Sequence, residues 1–282
     1  MNLKEYRIPS NIEEASELLA RKDISSQPIF LGTYPTPLHE RTWEAAIDLR
    51  QIGLTYIDTD EANFIRIGSL TSLQEMVSSK SLQKHANGIL PYAAQIAAHR
   101  GLRNLANIGG TLLSAKSAPE LCLALMVLKA TVICYPDNEY DLPIKTIDLN
   151  TESIITEIRI PIQSVNTSLE RVSRTPLDKS IVCSAVALEV HEDNITDIHI
   201  AVSGISEQPI RIPATKIIAP TIADSISSKM TEAINKAVRD TADPKYSDYL
   251  GSAEYRIEIA TILTNRAIKK AYQQTNGYTV QA

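Results

Sequence analysis

The sequence predicts an α+β protein in two parts, and three observations carry that expectation. Short apolar runs with strand character alternate with amphipathic helical stretches through the first half of the chain. A polar stretch, Gln163-Ser164-Val165-Asn166-Thr167-Ser168, interrupts that alternation as a linker does. Beyond it, two strand-like arms meet at His191-Glu192-Asp193-Asn194 and two helical patterns follow, so that sheet and helix are segregated. The expected division is residues 1–162 as one domain of two α+β subdomains and residues 168–282 as a C-terminal α+β lobe of sheet plus helices.

In chain order, Pro9-Ser10 followed by Ile12, Ala15, Leu18 and Leu19 reads as an amphipathic helix with Ser10 or Asn11 as its N-cap acceptor. Gln27 to Leu31 reads as a short strand that ends in a turn at Gly32. Ala46-Ile47-Asp48-Leu49 and Phe64-Ile65-Arg66-Ile67-Gly68 are further strands, and Ser72 to Lys80 is a helix begun by Thr71 or Ser72. Leu90 to Arg100, mostly apolar, is a longer helix; Gly101 to Ser114, rich in glycine and small polar residues, reads as a loop. Helix resumes after Pro119 with Leu121 to Lys129, and the strands Ala130 to Tyr135 and Ile154 to Ile160 follow, the latter stopped by Pro161. In the second part, Ile181 to Val190 and Ile195 to Ser203 form a hairpin, and Met230 to Ala237 and Ser252 to Tyr272 are helices. The last of these sets Tyr255, Ile259, Ile262, Leu263, Ala267 and Ala271 on or near one stripe.

Composition narrows the function classes. A chain of 282 residues, 44% hydrophobic and 22% charged, can bury one or two cores of ordinary size. Its net charge of −5 and pI near 5.6, with no run of Lys or Arg, argue against a nucleic-acid partner. Cys122, Cys134 and Cys183 lack CxxC spacing, so cysteine alone supplies neither a disulfide framework nor an iron–sulfur or zinc site. The five histidines never fall at metal-ligand spacing, and no metal is assigned. The first residues lack a basic-then-apolar leader, and no apolar run approaches the ~20 residues that span a bilayer. A reducing cytoplasm is the expected compartment.

The loops carry the chemistry. Asn107-Ile108-Gly109-Gly110-Thr111 contains two adjacent glycines, which allow the main chain to approach a ligand without Cβ obstruction and to turn successive N–H groups toward a pyrophosphate. The hydroxyls of Thr111 and Ser114 are further donors. By pattern alone such a pair is more often a plain turn. Arg103 and Asn104 can equally brace the loop, Tyr255 and Arg256 read as structural, and Trp43 and Tyr34 as packing anchors.

The string Leu102-Arg103-Asn104-Leu105-Ala106-Asn107-Ile108-Gly109-Gly110 resembles the I-R-N-x-A-T-I-G-G-N segment of FAD-binding subunits in the molybdenum hydroxylase family, the xanthine dehydrogenase and carbon monoxide dehydrogenase type. The likeness runs through nearly the whole chain. Tyr6-Arg7-Ile8-Pro9-Ser10 with Glu13-Glu14-Ala15 resembles the family's opening, Ile67-Gly68-Ser69-Leu70-Thr71 its I-G-A-x-T, and Ile158-Arg159-Ile160-Pro161 the close of its flavin domain. In the second part, Arg174 and Asp178 are similar to an R-x-x-x-D segment, Pro209-Ile210-Arg211 to P-x-R, and Asp248 through Arg256 to D-x-x-x-S-A-x-Y-R.

The resemblance implies a two-lobed FAD-binding domain of the PCMH-like type followed by the C-terminal lobe. It also implies an oxidoreductase subunit whose FAD takes electrons from an iron–sulfur subunit, itself fed by a molybdenum-cofactor subunit, and passes them to an acceptor such as NAD or quinone. The cofactor-binding residues it implies are Leu31, Gly32, Thr33 and Tyr34 in the first loop, Ile67 and Thr71 after it, and Asn107, Ile108, Gly109, Gly110, Thr111, Ser114 and Glu120 around the second. The chain departs from the family pattern at several of these. Phe30-Leu31-Gly32-Thr33-Tyr34-Pro35-Thr36-Pro37 stands for A-G-G-T-[DNS]-L, so one glycine is missing and two prolines withdraw N–H donors. Asn107 stands for threonine, Thr111 for asparagine or serine, and Glu120 for aspartate. A flavin-free structural or assembly subunit and a stand-alone flavoprotein on the same scaffold are the alternatives.

Overall fold

The computed structural model describes residues 3–29, 43–60, 63–113, 118–136, 138–142, 153–176, 178–191, 194–213 and 228–274. Three sheets organise them, one in each of three successive lobes.

The first lobe holds β1 (Glu5–Arg7), α1 (Ile12–Leu19), β2 (Ser26–Ile29) and β3 (Ala45–Asp48), with the sheet in the order β1-β3-β2 and all pairs parallel. Asn11 is the N-cap, its Oδ1 accepting from Glu14 N–H at 2.8 Å, while Ser10 donates N–H and hydroxyl to the Glu14 carboxylate. Ala15 and Leu19 of α1 pack on Ile47 and Leu49.

The second lobe contains β4 (Ile57–Thr59), β5 (Phe64–Gly68), α2 (Leu73–Ser78), α3 (Lys80–Lys84), α4 (Ile89–Ala97), α5 (Arg100–Arg103), α6 (Ile108–Leu112), α7 (Pro119–Val127), β6 (Thr131–Tyr135), β7 (Asn138–Asp141) and β8 (Ile154–Pro161). Its sheet is antiparallel in the order β4-β5-β8-β6-β7. The single helix expected over Ser72 to Lys80 is two helices, because Ser79 is extended and caps the second through its hydroxyl. The loop expected over Gly101 to Ser114 also contains two short helices, α5 and α6, each begun by a side-chain cap, His99 and Asn107.

The third lobe consists of β9 (Asn166–Val172), β10 (Val182–His191), β11 (Asn194–Ser203), β12 (Ile210–Ile212), α8 (Ser228–Thr241) and α9 (Ala253–Gln273), its antiparallel sheet ordered β12-β11-β10-β9. β10 is buried on both faces from Val182 through Leu188. Val182, Val186 and Leu188 pack with α8 and α9, while Cys183, Ala185 and Ala187 join the core of the second lobe. The small side chains on the latter face let α7 come close, and all nine residues of α7 are buried. No described helix is long and apolar enough to cross a membrane.

Candidate functional site

The Asn107–Thr111 turn is bonded to the Ser69–Ser72 segment that follows β5. Gly68 closes that strand, and a Cβ there would lie 2.3 Å from the Leu54 carbonyl oxygen, so this glycine serves close packing against the 54–56 segment. Ile67 beside it is fully buried in the second lobe's core. Thr71 spends its hydroxyl on Tyr56, accepting from N–H at 3.1 Å and donating to the carbonyl at 2.9 Å. Tyr56 in turn donates its phenol to Glu157 at 2.6 Å, and Arg66 and Arg159 each reach the same carboxylate at 2.7 Å. Burial raises the Glu157 pKa, but the three donors together outweigh it and hold the carboxyl below its ordinary value. Burial, helped by Glu157, pushes the Tyr56 phenol up to about 12.

Asn107 organises the turn itself. Its Oδ1 accepts from Gly110 N–H at 2.8 Å, and its carbonyl accepts from Thr111 N–H at 3.0 Å and from the Thr111 hydroxyl at 2.8 Å. Ile108 N–H donates to the Thr71 carbonyl at 3.0 Å and Gly109 N–H to the Ser69 carbonyl at 2.8 Å. Every N–H from Ile108 through Thr111 therefore has an acceptor inside the protein. The Gly109-Gly110 pair thus presents no set of free N–H donors to a ligand.

Among the described residues, the Ser69 hydroxyl beside this turn lacks a partner. Its oxygen is buried, on a residue whose carbonyl holds Gly109 and whose N–H donates to the Thr156 carbonyl at 3.0 Å. An unmet buried hydroxyl costs about 1–3 kcal/mol, so this atom and the two glycines fit a polar ligand lying against the turn.

Glu120 opens α7 with its carboxylate 2% exposed, accepting from Arg171 Nη1 at 2.9 Å and from the Ser180 hydroxyl. It thus ties the second lobe to the third. Arg171 also donates to Ser173 at 3.2 Å and to the Pro176 carbonyl. Leu31, Gly32, Thr33, Tyr34 and Ser114 lie outside the described residues. Arg103 braces its neighbourhood, donating to Gln74 and to the Gln95 and Ala98 carbonyls. Arg256 is 2% exposed and pins the third lobe, donating to the Ile181 carbonyl at 2.9 Å, the Gly204 carbonyl at 3.0 Å and the Asp248 carboxylate.

Sequence spacing did not reveal the cluster of Glu189, Asp197 and His199, which cross-strand pairing of β10 and β11 brings together. The signal was the hairpin register, in which Glu189 faces Asp197. Lys129 stands among them, its Nζ 3.5 Å from Asp197 and 3.8 Å from Glu189, so the carboxylates already have a cation.

Comparison with known proteins gives a consistent pattern. The family model for the FAD binding domain in molybdopterin dehydrogenase matches residues 2–163, and the model for the CO dehydrogenase flavoprotein C-terminal domain matches residues 167–271. Among curated proteins, the glyceraldehyde dehydrogenase medium chain of Sulfolobus acidocaldarius is 24% identical over 94% of this chain and 97% of its own length. The nicotine 6-hydroxylase medium subunit of Paenarthrobacter nicotinovorans is 27% identical over 96% and 98%. Among solved structures, a chain of the Cu,Mo-CO dehydrogenase superposes with a TM-score of 0.84 at 22% identity, covering 97% of this chain and 99% of that one; the fold is shared.

Proposed function

The chain belongs to the family of the FAD binding domain in molybdopterin dehydrogenase, an oxidoreductase-subunit family, and from that premise we propose that it carries FAD as the electron-transfer subunit of a molybdenum-hydroxylase-type complex. Its partners in this reading are an iron–sulfur subunit and a molybdenum-cofactor subunit, and its electrons leave to an external acceptor such as NAD or quinone. The observation that carries the reading is the succession of both flavoprotein models along one chain, over residues 2–163 and 167–271. The medium-chain and medium-subunit names of full-length relatives support the multi-subunit setting.

Bound FAD would supply the chemistry, coupling one-electron iron–sulfur donors to a two-electron acceptor. The chain's own part is positioning. Gly109 and Gly110 would let the cofactor approach the α6 turn, Asn107 and Thr71 hold that turn rigid, and Ser69 offers its hydroxyl. Leu31, Gly32, Thr33, Tyr34 and Ser114 would complete the cradle by resemblance, and Glu120, fastened to Arg171, would fix the third lobe over it. Leu105 and Leu113, 65% and 46% exposed on either side of the turn, are apolar surface that a partner subunit would cover.

A flavin-free structural subunit is the second reading, favoured by the internally satisfied N–H groups of Ile108 to Thr111. A visible spectrum of the purified chain decides between them: flavin bands at ~450 nm support the first, and a colourless chain that takes up no added FAD supports the second. Co-purification with iron–sulfur and molybdenum subunits tests the assembly.

A further inference from the structure

Ser69 is where this chain differs usefully from the family pattern it otherwise follows. The segment Ile67-Gly68-Ser69-Leu70-Thr71 resembles I-G-A-x-T, so a serine stands where alanine serves. Its backbone is clamped on both sides: the N–H donates to the Thr156 carbonyl at 3.0 Å, and the carbonyl accepts from Gly109 N–H at 2.8 Å. The residue is 0% exposed, and its hydroxyl oxygen has no hydrogen-bond partner among the described residues.

A hydroxyl buried without a partner destabilises a fold, and alanine would remove that penalty at almost no change in shape. With none among the described residues, the polar atom is left free for a bound ligand. Its place narrows the choice, since it lies on the residue that holds Gly109, and the neighbouring N–H groups of Ile108 through Thr111 are all engaged within the protein. Polar recognition at this end of the site falls to a side chain.

We propose that the Ser69 hydroxyl is a hydrogen-bonding group for the flavin dinucleotide, giving this chain a contact that an alanine at the same position lacks. The ligand class is FAD itself, whose phosphate, ribityl and carbonyl oxygens are suitable acceptors. The inference rests on the flavin reading given above. It also offers a compensation for the altered first loop, where one glycine is missing and Pro35 and Pro37 withdraw donors.

The test is Ser69→Ala in the full chain, read by FAD titration of the apo-protein and by urea unfolding without cofactor. The hydroxyl's loss should weaken FAD binding about tenfold, the size of one hydrogen bond to a ligand. The apo-protein should be as stable as wild type or more so, because the variant removes an unmet group. That opposite pair of signs separates a ligand contact from a structural one. Unchanged FAD affinity while wild type binds FAD would overturn this inference and leave the flavin reading standing, as would a variant that loses apo stability along with affinity. Failure of wild type itself to bind FAD would overturn both.

Discussion

Arg171 on β9 crosses the junction between lobes to Glu120 at the start of α7, its Nη1 donating to Oε1 at 2.9 Å, with both side chains largely out of water. Removing one member of such a pair leaves the other charge buried and uncompensated, which costs more than the pair contributes. Arg171→Met should lower the unfolding free energy by about 3–5 kcal/mol. Adding Glu120→Gln to it should restore part of that loss, as a urea-unfolding double-mutant cycle would measure. Independent, additive effects would show that the two do not interact in solution.

Gly110→Val should sharply reduce bound FAD while leaving the chain soluble. The glycine is buried in α6 with its N–H already given to Asn107, so the substitution keeps that bond and adds β-branched bulk at the turn where the cofactor is proposed to bind. Flavin content per chain is the readout. Full retention of FAD would move the site away from this turn.

The proposed role of the first loop can be tested by engineering it. Replacing Leu31-Gly32-Thr33-Tyr34-Pro35 with Ala-Gly-Gly-Thr-Asp restores the missing glycine and removes a proline. One or two regained N–H···O bonds to a charged pyrophosphate, about 1.5–3 kcal/mol each before offsets, should tighten FAD at least about tenfold in a titration. An unchanged dissociation constant would mean that the loop does not touch the cofactor.

Acid should destabilise the chain through two half-buried histidines. Burial pushes the His85 pKa below the ordinary 6.5, with the Pro161 carbonyl acting weakly the other way, and burial followed by the Lys129 charge does the same at His199. In the unfolded chain both rings take up protons near 6.5, so below that value the unfolded state binds more protons and native stability falls. The loss begins as pH drops through about 6.5 and continues to the lowered native values. Urea midpoints at pH 7.5 and 5.5 should differ less in His85→Gln than in wild type.

Much of this architecture was legible in local pattern. β5 matches the expected strand over Phe64 to Gly68, and α9 and the β10–β11 hairpin lie within a residue or two of their expected ends. Strand β9 was hidden because its buried positions include Thr167 and Ser168. Thr167 is tolerated inside because its hydroxyl donates to the Ala86 carbonyl at 2.6 Å, a long-range bond that no local pattern reveals. The short strands β1, β4, β7 and β12 were missed too, since three or four residues are too few to display a period. At the site, the glycines advertised a turn, but its N–H groups were expected to face a ligand. The Thr71 and Ser69 carbonyls that engage Ile108 and Gly109 come from some forty positions away, beyond what spacing encodes. The same holds for Glu120, whose partner Arg171 is 51 residues distant.

The wholly buried α7, lodged against the alanine and cysteine face of β10, makes the two family segments a single inheritance. Either half expressed alone would present to water a surface shaped for the other and would clump or be degraded. Exchange of halves between relatives should therefore succeed only when α7 and the small-residue face of β10 travel together, and the flavin-binding half cannot evolve independently of the half that follows it.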